Sequence, residues 1–399
     1  MATQDRQGLL TILSLALGAF AIGVSEFAAM GLLPYYAAEL GVTEPDAGHA
    51  VSAYAIGVVV GAPVLAVLGA MIPRKLLLIL LICFFGFGNL VSAMAPDLPL
   101  LIVGRFLAGL PHGAFLGISM LFAAEFSPEG RKARGVAQVL MGLTLANVIG
   151  VPLAGAVGQI FGWRLCFVAT TVIAAASALM IARMAPNVQS GPMPSPLREL
   201  SALANPAVWS TLLVGAIGFG GVFAVYSYFS AAMLDATNAP AWAIPAALSG
   251  FGIGGVLGNL IAGRLADWSR LGGALLLLVG MTAMCLLYTA VVGDWLMMGL
   301  SLFLLGTTAS LAIPLQMRLM DVAGEAQTLA AALNHAAFNA ANALGPFLAG
   351  RALAAGHGWG STGQVGAALA AGGIVMLGLA WMEGRSRARR VLPAMAAGA

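Results

Sequence analysis

Apolar residues run along this chain in blocks of twenty or more, cut at near-regular intervals by short polar stretches. The blocks fall at 9–34, 49–71, 76–95, 98–124, 135–160 and 164–184, then at 207–233, 243–264, 272–292, 295–318, 329–353 and 363–382. A helix of about 20 residues rises ~1.5 Å per residue and so crosses a hydrocarbon core of ~30 Å. In lipid a helix is the form such a block takes, because each backbone N–H and C=O must be satisfied within the segment. The pattern therefore predicts an all-α polytopic membrane protein with twelve transmembrane helices. The breaks carry turn-forming residues: APDLP (95–99), FSPEGRKARG (126–135), FGW (161–163) and VGDW (292–295). Residues 186–206, with five prolines, divide the chain into a six-helix bundle at 1–185, a linker, and a second bundle with a basic tail at 207–399.

Composition removes the alternatives. The chain is 60% hydrophobic and 8% charged, with a mean hydropathy of +0.96, whereas soluble domains carry about 25% charged residues. Arg6 followed by an apolar run imitates a secretion signal. That run continues to Leu33, well beyond the ~7–15 residues of a signal core, so it reads as an uncleaved first helix. The net charge of +3 is what remains in loops once the membrane blocks have excluded most charge, and it does not suggest a nucleic-acid partner. Cys83, Cys166 and Cys285 stand singly in apolar blocks and read as small core residues, not as a disulfide or metal site. His49, His112, His335 and His357 are well separated, and no nucleophile–base set or metal cluster is visible, which argues against an enzyme. No cofactor is expected, and the expected state is a monomer.

Basic residues set the orientation. Fifteen of the 18 Lys and Arg residues fall on the side holding both termini, Arg164 and Arg351 fall on the other, and Arg105 lies inside a block. This asymmetry places both termini in the cytoplasm. The two halves also repeat in parallel. ANVIGVPLAG (146–155) matches ANALGPFLAG (341–350), and each is followed by a Gly-Trp pair, at 162–163 and 358–359. GVVVGAPVLAVLGA (57–70) runs against GGVLGNLIAGRLAD (254–267) in the same way. Parallel repeats of six spans describe two pseudo-symmetric bundles related by an axis along the membrane normal, with substrate between them near the midplane.

Several stretches then carry a resemblance. Arg105-x-x-x-Gly109 in GRFLAGLPHGAF is similar to the fourth-helix arginine motif of the major facilitator superfamily. GLTLANVIGVPLAG (142–155), with Gly150, Pro152 and Gly155, resembles the fifth-helix glycine–proline motif of its antiporters. GRLAD, from Gly263 to Asp267 and followed by Arg270, resembles its loop motif. With SEFAAMGLLP and AYAIGVVVGAP (53–63), these look most like bacterial sugar-efflux and chloramphenicol-resistance transporters of the twelve-helix drug–proton antiporter branch. The resemblance implies the major facilitator fold in a bacterial inner membrane, alternating access, proton transfer at Arg105 and a gating role for Gly150, Pro152, Gly155, Gly263, Asp267 and Arg270. The first-half copy of the loop motif departs from the pattern: Ala66 and Ala70 replace its glycine and aspartate, so a latch could centre on Asp267 but not on Ala70.

The chemistry to be explained is Glu26, a carboxylate inside the first block. An ionised carboxylate at mid-span costs ~2.5–3.5 kcal/mol or more, so it must be protonated or paired. Arg105 cannot shed its proton and needs a partner too. His112 lies seven residues further on, on the same helical face, and titrates near neutrality when unperturbed. The family arrangement sets the first and fourth helices side by side, so Glu26 is expected within reach of Arg105 or His112. The group reads either as the proton-coupling site or as a static buried ion pair. His335, Asn339 and Asn342 share one face of the eleventh block, beside Asn334. With Tyr54, Asn147, Tyr226 and Gln316 they are cavity candidates for hydrogen-bonding substrate, or else interhelical packing groups. Tyr226 and Tyr228 are two residues apart and cannot both face a cavity. The glycine-rich GFGIGGVLGNLIAGR (250–264) follows no strand and reads as close helix packing, not a nucleotide loop. The expected function is proton-coupled export of small organic solutes such as sugars or drugs, with the proton as coupling ion. A sugar or nucleoside symporter or facilitator is the same-fold alternative, and a non-transporting membrane receptor or scaffold the alternative of another class.

Overall fold

The computed structural model describes residues 2–69, 72–126, 132–186, 204–323 and 327–396. The expected linker core (187–203), the 127–131 part of the basic loop and Ala70 lie outside them, as does the side chain of Ala66. The first half comprises α1 (Ala2–Gly31, continued by Leu33–Leu40), α2 (Glu44–Gly69), α3 (Arg74–Ala93) and α4 (Leu98–Gly109, continued by His112–Phe126). It ends with α5 (Lys132–Leu145, a π turn Ala146–Gly150, then Val151–Phe161) and α6 (Trp163–Met184). The second half opens with α7 (Pro206–Gly218, Gly220–Tyr226, Phe229–Ala236), α8 (Ala243–Trp268) and α9 (Arg270–Val291). It continues with α10 (Trp295–Thr308, a tight turn Ala309–Leu311, then Ala312–Val322), α11 (Gln327–Ala354) and α12 (Gly360–Ala396). Among the described residues there is no strand. Ten of these rods qualify as membrane crossings by length and hydropathy, and α2 and α11, 26 and 28 residues long, complete the alternation.

Polar residues in the short loops start the helices. Asp97 accepts from the Leu100 amide at 2.9 Å, and Asp294 accepts from the amides of Leu296 and Met297 at 3.0 and 3.1 Å. Each carboxylate satisfies helix-end donors that have no intrahelical acceptor. Outward-facing apolar side chains such as Ile160, Val172 and Leu260 are more than half exposed, a surface that lipid covers.

The same packing scheme appears twice. α1 packs on α5 and α6, α2 on α4, and α3 on α4 and α6; α7 packs on α11 and α12, α8 on α10, and α9 on α10 and α12. Shifting every helix number by six maps one set onto the other. The Trp163 indole donates to Glu39 at 2.7 Å, and the Trp359 indole donates to Asp235 at 2.7 Å, both partners displaced by 196 residues. Glu39 also pairs with Arg164, whose other nitrogen reaches the Ala95 carbonyl at 2.6 Å. Across the halves, α2 lies against α11 and α5 against α8, again equivalent pairs.

The sequence pattern missed the interruptions. The first, fourth, seventh and tenth spans are predicted continuous, yet α1 breaks at Leu32, α4 at Leu110–Pro111, α7 at Phe219 and Ser227–Tyr228, and α10 at Ala309–Leu311. These helices occupy equivalent positions in the repeat. A broken helix frees backbone groups, which the membrane interior tolerates where protein or a water-filled cavity surrounds them. The interruptions therefore mark the helices nearest the centre. α12 also runs past its predicted end at 382, continuing as helix to Ala396.

Candidate functional site

Ser25 and Glu26 are adjacent on α1, so their side chains leave the helix about 100° apart and meet different neighbours. Ser25 faces its own half. Its hydroxyl donates to Asn89 Oδ1 at 2.6 Å and accepts from Arg105 Nη1 at 2.8 Å, while its carbonyl accepts from Arg105 Nη2 at 3.0 Å. Arg105 is 1% exposed. Its guanidinium lies 4.2 Å from the centre of the Tyr54 ring and 5.3 Å from that of Phe167. A desolvated cation over an aromatic face gains about 2 kcal/mol, which offsets part of its burial cost. The Tyr54 hydroxyl meets His112 Nδ1 at 3.0 Å, extending the chain to the second segment of α4.

Glu26 faces the other half. Its Oε1 accepts from Asn342 Nδ2 of α11 at 3.1 Å, across 316 residues of sequence. The expected direct partnership of Glu26 with Arg105 or His112 needs correction. Glu26 and Arg105 act on each other's charge through space, but the hydrogen bonds of Arg105 go to Ser25, one position earlier. Glu26 is the one buried carboxylate among the described residues. Near it, the Ser52 hydroxyl of α2 donates to the Ala343 carbonyl of α11 at 3.1 Å, a second bond between the halves.

The remaining candidates separate into distinct places. His335 is exposed and lies within electrostatic range of His112; its carbonyl accepts from Asn339 at 3.0 Å. Asn334 donates to Gln316 at 2.8 Å, so these two tie α10 to α11. The Tyr226 ring packs against Phe27 and Phe251, with centroids 6.0 and 4.5 Å apart. Tyr228 points elsewhere, donating to the Pro346 carbonyl at 3.1 Å. Gly150 ends the π turn of α5 against Val24 and Phe20 of α1, and Pro152 restarts the α-helix just after it. Gly155 faces Leu248 of α8 at an ordinary distance. Around the loop motif, Asp267 is exposed, a side chain at Gly263 would meet nothing within 4 Å, and Arg270 pairs with Asp321 at 2.7 Å. Among the described residues, the ion pair of this region is made by Arg270.

Beside the central helices is a cavity of about 170 Å³. One wall is aromatic: Phe27 of α1, Phe219 and Phe223 of α7 and Phe251 of α8. The other is polar and comes from Thr144, Asn147, Asn259 and Ser310. Among the described residues, no Asp, Glu, Lys, Arg or His lines it. The Ser310 hydroxyl donates to Asn259 Oδ1 at 2.8 Å, whereas Asn147 Oδ1 is buried without a donor. Sequence reasoning missed Ser25, Asn89, Asn259, Ser310 and the aromatic wall. Asn89 was open to discovery as a lone amide in an apolar block, but single phenylalanines in such blocks carry no signal.

With this geometry in place, comparison with known proteins identifies relatives. The Major Facilitator Superfamily sequence model matches residues 15–323. The inner membrane transport protein YdhP of Escherichia coli is 39% identical over 385 residues, covering 95% of this chain and 97% of that protein. A chloramphenicol resistance protein of Streptomyces lividans is 34% identical over 380 residues, with 92% and 93% covered. A probable sugar efflux transporter of Helicobacter pylori is 28% identical over 377 residues, with 94% and 95% covered. Among solved structures, an inward-facing bacterial homolog of the human lysosomal transporter Spinster shares the fold, with a TM-score of 0.69 at 14% identity, covering 94% of this chain and 95% of that one.

Proposed function

The chain belongs to the major facilitator superfamily of membrane transporters, and from that premise we propose that it exports small organic solutes in exchange for protons, with Glu26 as the proton site. It is a multi-pass transporter of small molecules and not an enzyme. The observation that carries the proposal is the Glu26–Asn342 hydrogen bond, which joins the only buried carboxylate among the described residues to the opposite half. Alternating access requires the halves to move against each other, so a titratable group on a bond between them links charge to conformation. Ionised Glu26 accepts strongly from the Asn342 amide, since hydrogen bonds to ionised groups are about twice as strong as neutral ones. Protonation removes that charge, and the bond between halves weakens. Asn342 Oδ1 has no donor and can accept from the protonated carboxyl, so protonation exchanges the charged bond for a weaker neutral one. Arg105, held by Ser25 and Tyr54, supplies a fixed positive charge to this side of the centre.

The basic-residue asymmetry supports placing both termini in the cytoplasm, so that protons enter from the opposite face. The relatives named for sugar efflux and chloramphenicol resistance support export across a bacterial inner membrane. The test is Glu26→Gln in reconstituted vesicles carrying a pH gradient. Loss of gradient-driven efflux with retained solute exchange is expected; full gradient-driven efflux by this variant would remove Glu26 from the coupling step.

A further inference from the structure

The two halves use the same scaffold for different occupants. On α1 and α7 the repeat offset is 196, set by the Glu39 and Asp235 acceptors of Trp163 and Trp359. The same offset equates Phe27 with Phe223, whose rings stack on one another with centroids 6.3 Å apart and planes 25° apart. Residues that are equivalent and also in contact lie beside the pseudo-twofold axis. One position earlier, Glu26 is equivalent to Val222. The ANVIG and ANALG stretches equate Asn147 with Asn342. On one side of the stacked rings, then, a carboxylate meets an asparagine. On the other side, valine replaces the carboxylate, and the equivalent asparagine faces a cavity with its carbonyl oxygen buried and without a donor.

We propose that the transported solute occupies the Val222–Asn147 cavity as the counterpart of the Glu26 carboxylate, and that it is a neutral molecule carrying a hydrogen-bond donor and an aromatic or other flat apolar face. This rests on the transport reading above. The donor satisfies Asn147 Oδ1, because a buried acceptor without a partner is costly. The flat face lies against Phe219, Phe223 and Phe251. A formal charge is disfavoured because, among the described residues, no ionisable side chain lines the site to replace lost hydration. Proton and solute therefore sit on opposite sides of the Phe27–Phe223 pair and communicate through movement of the halves, not by competing for one carboxylate.

Gly255 provides a clean obstruction, since a side chain built there meets no atom within 4 Å and grows into the cavity. The experiment measures equilibrium binding to the full-length protein in lipid nanodiscs at pH 5.5 and pH 8. Its probes are chloramphenicol, a p-nitrophenyl glycoside and, as a cationic comparison, tetraphenylphosphonium. Wild-type protein is expected to bind at least one neutral probe and not the cation. Asn147→Ala should weaken that binding about tenfold, Gly255→Leu should abolish it, and Gly255→Ala should fall between, each with an unchanged gel-filtration profile. Wild-type binding in the Asn147 and Gly255 variants would place the solute elsewhere and overturn the site. Binding of the cation alone, or of no probe, overturns the neutral class. Neither result bears on the gradient-driven flux of Glu26→Gln vesicles, which decides the transport reading separately.

Discussion

Two neighbouring side chains on α1 divide the polar chemistry of the centre. Ser25 neutralises the difficulty of a buried arginine inside one half, and Glu26 is left to address the other half. The sequence made Glu26 conspicuous as the single acid of an apolar block, and Arg105 conspicuous as the single arginine inside one. What it could not supply was which of two adjacent residues faces which neighbour, because a rotation of 100° about the helix axis exchanges them. The geometry makes Ser25 a structural residue of more weight than its size suggests. Ser25→Ala removes the hydroxyl acceptor of Arg105 and the donor to Asn89. Hydrogen bonds to charged groups contribute about 1.5–3 kcal/mol, so the substitution should destabilise the protein by about 2–3 kcal/mol. Thermal unfolding in detergent checks this, with Ser25→Thr, which keeps the hydroxyl, expected to lose less. An unchanged midpoint in Ser25→Ala would show that water replaces the hydroxyl at no cost.

Helices were legible along the whole chain because lipid permits few other forms, and block length alone fixes where they begin and end to within a few residues. Their interruptions were hidden because Phe219 and Ala309–Leu311 hold no proline to announce a break; tertiary packing creates those breaks. Where proline is present, at Pro111, the break follows from the missing N–H and the clash with the preceding turn. At the end of the molecule that holds the α1–α2 loop, Tyr228 of α7 meets α2 of the other half. Its hydroxyl, bonded to Pro346, fits against Gly48 of α2, where a Cβ would overlap it. Gly48→Ala should therefore push α2 from α7 and populate the state in which this end is open. A cysteine placed at Gly117, which faces free space toward the other end, should become less reactive to a thiol reagent as that end closes. Tyr228→Phe removes the overlapping oxygen, so the double variant should recover the reactivity of the Gly117→Cys parent. Equal reactivity in all three would mean that the Gly48–Tyr228 contact does not set the balance of states.

At the scale of the whole molecule, the repeat explains more than the fold. Its Trp–carboxylate contacts are kept in both halves, as are the packing pairs, whereas its central polar pair is kept in one half and opened into a cavity in the other. The sequence displayed the repeat, but it did not show that Phe27 and Phe223 touch, so the equivalence of Glu26 with Val222 carried no meaning before their stacking was seen. If a shared scaffold has been given two uses, restoring the carboxylate should convert the second use toward the first. Val222→Glu places a carboxylate beside Asn147 in a site with no cation among its lining residues. When ionised, that carboxylate engages the asparagine and holds water; when protonated, it is neutral and can donate. Neutral-probe binding should then weaken about tenfold or more as pH rises from 5.5 to 8, over and above any pH response of the parent. Val222→Gln has nearly the same shape without the titration and should show the parent's pH profile. A Val222→Glu profile that matches Val222→Gln would mean that the added carboxyl does not reach the cavity, and that the two halves are equivalent in their backbones but not in the environments they give position 222 and position 26.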